Sequence, residues 1–567
     1  MVFKAMRCRD RNHKLVGFLL GTFLFTAPAA FVLWQNTHLT VLWDLSYILE
    51  NATRISLGQL PYRDFPFPYA PLTFLVQAAI VKLFGRAVLH HYVYAAITAG
   101  LGSLLTWRIL LRVLAAGRLP ARLTAFLLCL PLVFLGTNSI FPHPFYDSDC
   151  TLFILFCAWL LLRLESTNFP ATATFVCGAL LAVPLFIKQN TGLAFLVSTA
   201  VCIMWLGLRR PRAAALLLAG ASMGVAVALA IIQSTVGLRN YLHWTIEFAA
   251  SRRLPGLATM LGVYRDPALL WPALAFAAGL AVFFVPRRAQ HAALRWIGTV
   301  LLTLPFLASL GALYLQDNDS DRVEALLRLW PVLLVASLVL AMWQLRRGAT
   351  VTRLLPLILL GSIHGAFLSQ QLWGSTYALW PMLMILIASI LTALDDESAA
   401  IPLTAFTVFV SVALVVTGGY YALSHERLDY VNLEGDTLAR SSLPTLRGLG
   451  MRGNWLPDFE ELVAYSEHEI PRGDAILEIP GEDLFYFTTG RAPQFPVILM
   501  DNTVNPYSAS QLAELADRRN VRWVVVKREL QLQEQPLAFR SELLELLSRN
   551  FELEESLNNY EIYHRKD

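Results

Sequence analysis

The sequence predicts an α-helical polytopic membrane protein of about 13 transmembrane helices, followed by a C-terminal extracytoplasmic α/β domain. Of its 567 residues, 56% are apolar and 15% are charged, whereas ordinary soluble proteins contain about 25% charged residues. The apolar residues form blocks of about 16 to 24, a length that crosses a bilayer as a helix. Residues 422–567 hold about 15 basic and about 25 acidic residues, and residues 1–421 carry about 14 net positive charges. These observations divide the chain into a membrane domain at 1–421 and an outer domain at 422–567.

The N-terminal basic residues set the predicted orientation, because Lys and Arg favour the cytoplasmic side of a membrane. They are Lys4, Arg7, Arg9, Arg11 and Lys14. The first span at about 15–34 is then an uncleaved anchor that leads to an outer loop at 35–87. Within this loop, the apolar run 71–84 is short for a span and contains Lys82, so we expect a helix lying on the outer surface. If this run crossed the membrane, the arginines between 108 and 122 would face outward.

The remaining apolar blocks alternate across the membrane on this scheme. They lie near 89–107, 123–138, 151–162, 173–187, 191–208, 213–233, 268–285, 294–314, 323–345, 354–370, 376–394 and 402–421. With the first span they number thirteen, and residues 234–267 form an outer loop. An odd number of spans places the acidic C-terminal domain outside the cytoplasm, and we expect the protein in the plasma (inner) membrane.

The C-terminal segment has the pattern of an α/β domain. Residues 474–480 and 521–529 are predicted as buried strands. Residues 508–519 begin with a capping serine and have helical spacing. Residues 551–565 are predicted as a hairpin that turns at Asn558-Asn559.

Polar side chains collect on the predicted outer side of the membrane. They are Asp44, Glu50, Tyr62, Arg63, Asp64, His143, Asp147, Asp149, Lys188, Gln189, Asn190, His243, Glu247, Arg252 and Arg253. Each has an ordinary explanation: Asp44 as a solvated residue of a surface helix, Asp147 and Asp149 as helix caps, Arg252 and Arg253 as surface cations. Together they indicate a shared cavity, since charges at membrane depth usually face a cavity or a partner. A carboxylate there can take a proton from a hydroxyl, and Lys or Arg can hold a phosphate as it leaves.

Three segments resemble the GT-C superfamily of polytopic glycosyltransferases, and within it the branch of protein O-mannosyltransferases and the lipid A aminoarabinose transferase. The first outer loop carries the pattern "LWD…GQLPYRDF…YAPL…KLFG", with Asp44 at the acidic position, "G-x-x-P-Y" at residues 58–62 and "L-F-G" at residues 83–85. "FIKQNTG" places Lys188 on the lysine of the family's "TKG" element, and "FTTGRAP" at 487–493 resembles the outer domain of bacterial members. Many relatives have an Asp-Glu pair where this chain has Asp44-Leu45.

The resemblance implies the GT-C fold and an inverting transferase that uses a polyprenyl-phosphate-linked sugar. Asp44 would be the base that deprotonates the acceptor hydroxyl. Lys188, with Arg252 or Arg253, would hold the departing polyprenyl phosphate, while Tyr62, Arg63 and Asp64 line the substrate site. Asp147 or Asp149 would orient the acceptor or bind a divalent cation such as Mg or Mn. No cofactor is certain on this basis, and the metal-binding residues stay undetermined.

The expected partners are a polyprenyl-phosphate sugar donor, a glycan, lipid or protein acceptor, and membrane lipids, with no nucleic acid. Two other classes of function stay open: a polytopic transporter or lipid flippase, and a non-catalytic scaffold on the same fold. Intramembrane charges would suit a transporter as well. Transporters often contain two related halves, and the sequence has no internal repeat.

Overall fold

Apolar helices make up most of the chain as far as residue 423. A computed structural model describes residues 2–115, 117–138, 141–253, 261–285, 292–315, 329–368, 378–395, 400–423, 435, 437–532 and 537–566. The first helices are α1 (Val2–Asn36), α2 (Leu42–Ser56), α3 (Leu72–Phe84), α4 (Val88–Leu114), α5 (Ala121–Cys129), α6 (Tyr146–Ser166), α7 (Ala171–Leu180), α8 (Gln189–Gly207) and α9 (Pro211–Thr235). They continue with α10 (Leu238–Leu242), α11 (Ala249–Arg253), α12 (Leu270–Phe284), α13 (Ala292–Leu315), α14 (Trp330–Leu345), α15 (Val351–Ala366), α16 (Trp380–Leu394) and α17 (Ala400–Leu423).

The composition of these helices confirms the predicted architecture of an apolar helical domain. Six of them are long and apolar enough to cross a membrane, and several shorter helices are equally apolar. Proline is the first residue of α9 and the second residue of α14 and α16, where a missing N–H costs nothing. The number of crossings and the boundary at 421/422 stay predictions. The predicted outer loop 234–267 is largely helical where it is described, because α10 continues through a π-helical turn (His243–Phe248) into α11.

Small residues allow the membrane helices to approach closely. α1 packs on α4, α7 on α9, and α8 on α15. A Cβ atom added at Gly220 of α9 would lie 2.1 Å from the carbonyl oxygen of Phe175 in α7. A side chain there would therefore force the two helices apart, as is usual for glycine at membrane helix interfaces.

The C-terminal region, residues 437–566, is the predicted α/β unit. It contains β1 (Leu438–Arg440), β2 (Gly450–Arg452), α18 (Trp455–His468), β3 (Ala475–Ile479), α19 (Phe485–Thr489), α20 (Ala509–Arg518), β4 (Val521–Lys527), α21 (Leu537–Leu547), β5 (Phe551–Ser556) and β6 (Tyr560–Arg565). β1 and β2 form an antiparallel pair, and the larger sheet has the order β3-β4-β6-β5 with β3 and β4 parallel. Both predicted strands, the hairpin and the helix that Ser508 caps are confirmed.

The C-terminal region is seated on α2 and on the end of α3. The Glu50 Oε1 atom of α2 accepts a hydrogen bond from the Phe487 backbone N–H at 3.0 Å. Arg54 donates to the carbonyl oxygens of Pro496 and Phe495 at 2.9 and 3.1 Å, and Arg86 donates to that of Phe487 at 2.8 Å. Buried aromatic residues of the first outer loop and of the C-terminal region share one hydrophobic core, so these two parts pack as one body.

Candidate active site

Lys188 lies at the junction between α7 and α8. Pro184 is the second residue of a short 3-10 turn (Val183–Phe186) after α7, and Lys188 takes the extended N-cap position of α8. Its ammonium forms an ion pair with Asp147, in the first turn of α6, and both side chains are more than 90% buried. The Lys188 Nζ atom lies 5.6 Å from the centre of the Tyr146 ring. The sequence-predicted lysine and one of the two predicted aspartates therefore meet.

Asp149, the second predicted aspartate of α6, is also buried and has different partners. Its Oδ2 atom accepts a hydrogen bond from the Thr73 hydroxyl at 2.7 Å, and its Oδ1 atom accepts one from the Tyr94 hydroxyl at 2.9 Å. No side chain in the described structure caps α6, so neither aspartate acts as the helix cap that the sequence left open. Asp149 instead joins α6 to α3 and α4.

The first outer loop lies directly against the start of α8. The Gln189 side chain donates to the Pro68 carbonyl at 2.8 Å and accepts from the Ala70 N–H at 3.1 Å. Tyr62 is buried, has a positive φ of 68°, and its hydroxyl donates to the Tyr69 carbonyl at 2.7 Å. A positive φ is uncommon for a bulky residue, and this hydroxyl contact and the surrounding aromatic packing hold Tyr62 in place.

Arg63 and Asp64 form a local ion pair at the tip of the same loop. The Arg63 Nε atom donates to Asp64 at 2.9 Å, and the other carboxylate oxygen accepts from the Leu60 N–H at 2.7 Å. The hydrogen bond from Arg63 holds the pKa of Asp64 below its ordinary value. Both residues are exposed, and these contacts close a tight turn within the loop.

The segment after α9 carries two predicted cations, and the structure places one of them on the protein surface. Arg252 is exposed, with its guanidinium 5.4 Å from the centre of the Phe248 ring. His243 and Glu247, also exposed, pair at 2.9 Å. The side chain of Arg253 lies outside the described residues. Gln189 reaches this segment as well, at 3.4 Å from the Thr245 carbonyl oxygen.

Asp44 lies in the first turn of α2 and is half-buried. Three tyrosine rings connect its helix to Lys188. Tyr47, one turn after Asp44, packs 5.4 Å from Tyr69, and Tyr69 packs 5.0 Å from Tyr146. Tyr146 is the ring beside the lysine ammonium. A half-buried carboxylate and a buried lysine therefore belong to two elements that a row of tyrosine rings connects.

Tyr69, Tyr94, Tyr146 and Thr73 are site residues that the sequence analysis did not single out. The aromatic content of "FPFPYAPL" was the one available signal for Tyr69. The other contacts join helices that lie far apart in the sequence.

The two aspartates do not fit a metal site as they stand. Asp147 is paired with Lys188, and Asp149 accepts two hydroxyl hydrogen bonds. Within the described ranges no three His, Cys, Asp or Glu side chains are grouped closely enough to hold a metal ion.

Comparison with known proteins gave structural likenesses only. No protein-family model matches the chain, and no curated protein matches it significantly. ArnT from Cupriavidus metallidurans, solved with undecaprenyl phosphate, is similar at a TM-score of 0.43 and 12% identity, over 97% of this chain and 98% of ArnT.

Two other solved structures are similar over 96% of this chain. For the Archaeoglobus fulgidus oligosaccharyltransferase, tethered to an acceptor peptide, the TM-score is 0.45, the identity 10% and the coverage 74% of that protein. The arabinofuranosyltransferase AftD from Mycobacteria is similar at a TM-score of 0.43 and 15% identity, with 40% of that protein covered. Scores below 0.5 are too low to transfer a site or an activity.

Proposed function

We propose that this chain is a GT-C-type membrane glycosyltransferase. It would transfer a sugar from a polyprenyl-phosphate-linked donor to a hydroxyl group of an extracytoplasmic glycan, lipid or protein, with inversion. One observation carries the proposal: of the three segments that carry the family resemblance, two contact the third, which is the first outer loop. Gln189 of "FIKQNTG" bonds to the first outer loop, and Pro493 of "FTTGRAP" accepts a hydrogen bond from Gln59 of the same loop at 2.8 Å.

The proposed reaction is a single displacement at the anomeric carbon. Asp44 takes the proton of the acceptor hydroxyl as the oxygen attacks, which forms the new carbon–oxygen bond. The bond between the anomeric carbon and the phosphate oxygen breaks, and its electron pair leaves with the polyprenyl phosphate. A cation stabilises the negative charge on that phosphate.

Lys188 is the cation best supported for this role. It is buried beside Tyr146 and is held by Asp147, so it would be positioned before the donor arrives. Arg252 and Arg253, on the segment after α9, would add positive charge where the donor enters the proposed site. In this proposal Asp147 orients Lys188, and Asp149 secures α3, which is part of the first outer loop. Tyr62, Arg63 and Asp64 would shape that loop over the donor.

The activity is tested with purified protein, a polyprenyl-phosphate sugar and an extract of envelope acceptors. A glycosyltransferase releases free polyprenyl phosphate in an acceptor-dependent way. A transporter or flippase would move the lipid between leaflets of a vesicle without releasing it, and a scaffold would do neither. Absence of release with any donor in a panel of polyprenyl-phosphate sugars would contradict the proposal.

Replacement of Asp44 by Asn tests the proposed base. Asn keeps the size of the side chain but cannot accept the proton, and general-base catalysis typically contributes about 10²–10⁴-fold. We expect Asp44→Asn to lower turnover at least about a hundredfold while the protein still inserts and folds. Asp64→Asn is the matched control, because Asp64 is exposed and paired with Arg63, and it should lose far less. Full activity in Asp44→Asn with none in Asp147→Asn or Asp149→Asn would move the base to α6.

A further inference from the structure

The short connection between α1 and α2 is held by the C-terminal region. The Thr40 hydroxyl donates to the Gly450 carbonyl at 2.9 Å. The side-chain amide of Gln531 donates to the Thr40 carbonyl at 2.9 Å, and its oxygen accepts from the Leu42 N–H at 2.7 Å. The Gln531 side chain thus donates to one peptide group and accepts from the next, as the backbone of an adjacent strand would.

Gln531 is itself fixed by a buried polar network. Its side chain is about 95% buried, and its backbone N–H donates to the Glu482 carboxylate at 3.0 Å. Lys527, at the end of β4, donates to Glu482 at 2.5 Å and to Asp483 at 2.8 Å. Tyr560 of β6 donates to Asp483 at 3.0 Å. Lys527 and Tyr560 are strand residues, so the sheet determines where these carboxylates, and with them the Gln531 backbone, lie.

The contact falls at the first N–H group of the helix that carries Asp44. The first N–H groups of a helix have no partner within the helix. α2 has no side-chain cap from its own N-cap residue, Val41. Gln531 accepts the hydrogen bond from Leu42, the first helical residue, and Asp44 follows two residues later in the same turn. A residue of the C-terminal region therefore fixes where this helix begins.

We infer that Gln531 is a positioning residue for Asp44, an inference that rests on the proposed function. Without its amide, the 40–42 segment loses two interdomain hydrogen bonds and the first turn of α2 can fray. Asp44 would then no longer be held at the acceptor hydroxyl. Small displacements of a catalytic group are costly, and about 1 Å can cost about a hundredfold in rate.

The test uses two isosteric substitutions in the full-length protein, Gln531→Met and Gln59→Met. Gln59 is the matched control, since it also bridges the first outer loop and the C-terminal region, donating to Pro493 and accepting from Arg54 at 2.7 Å. It lies after the other end of α2, far from Asp44. We expect Gln531→Met to lower kcat about tenfold or more with a KM for the donor within about twofold. Gln59→Met should leave kcat within about twofold.

Two further measurements distinguish positioning from general docking. In the Asp44→Asn background, Gln531→Met should cost nothing more, because residues that act as a unit are not additive. Hydrogen–deuterium exchange of residues 40–46 should become faster in Gln531→Met and stay unchanged in Gln59→Met. Exchange is measured without substrate, so it reports on Gln531 independently of the proposed reaction.

Equal losses of kcat in the two glutamine variants, or additive losses with Asp44→Asn, would overturn the inference. Unchanged exchange at residues 40–46 would do so as well, whatever the activity shows. Faster exchange in Gln531→Met together with full activity in Asp44→Asn would instead refute the proposed role of Asp44.

Discussion

At the scale of single residues, the two buried aspartates of α6 have separate structural roles. Asp147 forms an ion pair with Lys188, and Asp149 accepts hydrogen bonds from the hydroxyl groups of Thr73 and Tyr94. Burying a charge is costly unless it is paired. The Lys188–Asp147 pair therefore holds a cation at the start of α8 without leaving it uncompensated.

The ion pair gives a prediction that separates stability from activity. Lys188→Met alone leaves Asp147 buried and unpaired, and breaking a buried pair typically costs about 3–5 kcal/mol. We expect a large fall in the thermal midpoint, most of which is recovered in Lys188→Met with Asp147→Asn. Activity of the double variant should stay at least about tenfold low, since a charge-assisted hydrogen bond contributes about 1.5–3 kcal/mol. Recovery of both stability and activity would show that Lys188 is structural.

At the scale of elements, α3 has the shape expected of a surface helix. It contains 13 residues, which span about 20 Å, against about 30 Å for the hydrocarbon core of a bilayer. Thr73 and Gln77 are buried on one side, while Leu83 and Phe84 are 75% and 68% exposed. An apolar exposed side on a short helix suits the membrane interface.

α2 is the other helix of the first outer loop, and its docking to the C-terminal region should depend on pH. Burial raises the pKa of Glu50 to about 8 from 4.5, with Asp483 adding to the rise and Arg54 and two backbone N–H groups opposing it. The folded protein therefore favours the neutral carboxyl. Its stabilising contribution is complete below about pH 4.5 and is lost as the pH rises towards 8.

We expect the thermal midpoint of the wild-type protein to fall between pH 5 and pH 9, and Glu50→Gln to reduce this fall. Gln keeps the acceptor for the Phe487 N–H and carries no titrating group. Glu552→Gln, an exposed residue of β5, serves as the control and should leave the pH dependence unchanged. A Glu50→Gln profile that runs parallel to the wild type would show that Glu50 does not titrate in this range.

At the scale of the whole molecule, the outer loop and the C-terminal region form one body over the apolar helices. Their aromatic side chains share one core, and Gln531, Glu50 and Arg54 add polar contacts along α2. A loop of such length held on two sides is preorganised, which is what the proposed transferase site requires. We expect this body to lie wholly on one side of the membrane.

The topology gives the corresponding prediction. A reporter fused after Tyr421 should be active only outside the cytoplasm, and one inserted at Gly117 only inside, because the basic residues around 108–122 favour the cytoplasm. Enzymatic reporters specific to each compartment provide the measurement. The reverse pattern at either position would invalidate the orientation and separate the C-terminal region from an extracytoplasmic acceptor.

The sequence alone determined the helical membrane class, the positions of most helices, the strands 474–480 and 521–529 and the closing hairpin. Those features depend on local composition and periodicity, which a single segment carries in full. Only the tertiary structure decided the partners: Lys188 with Asp147, 41 residues away, and Leu42 with Gln531, 489 residues away. Such pairs depend on how distant elements pack, and a polar residue has the same local pattern whichever partner it meets.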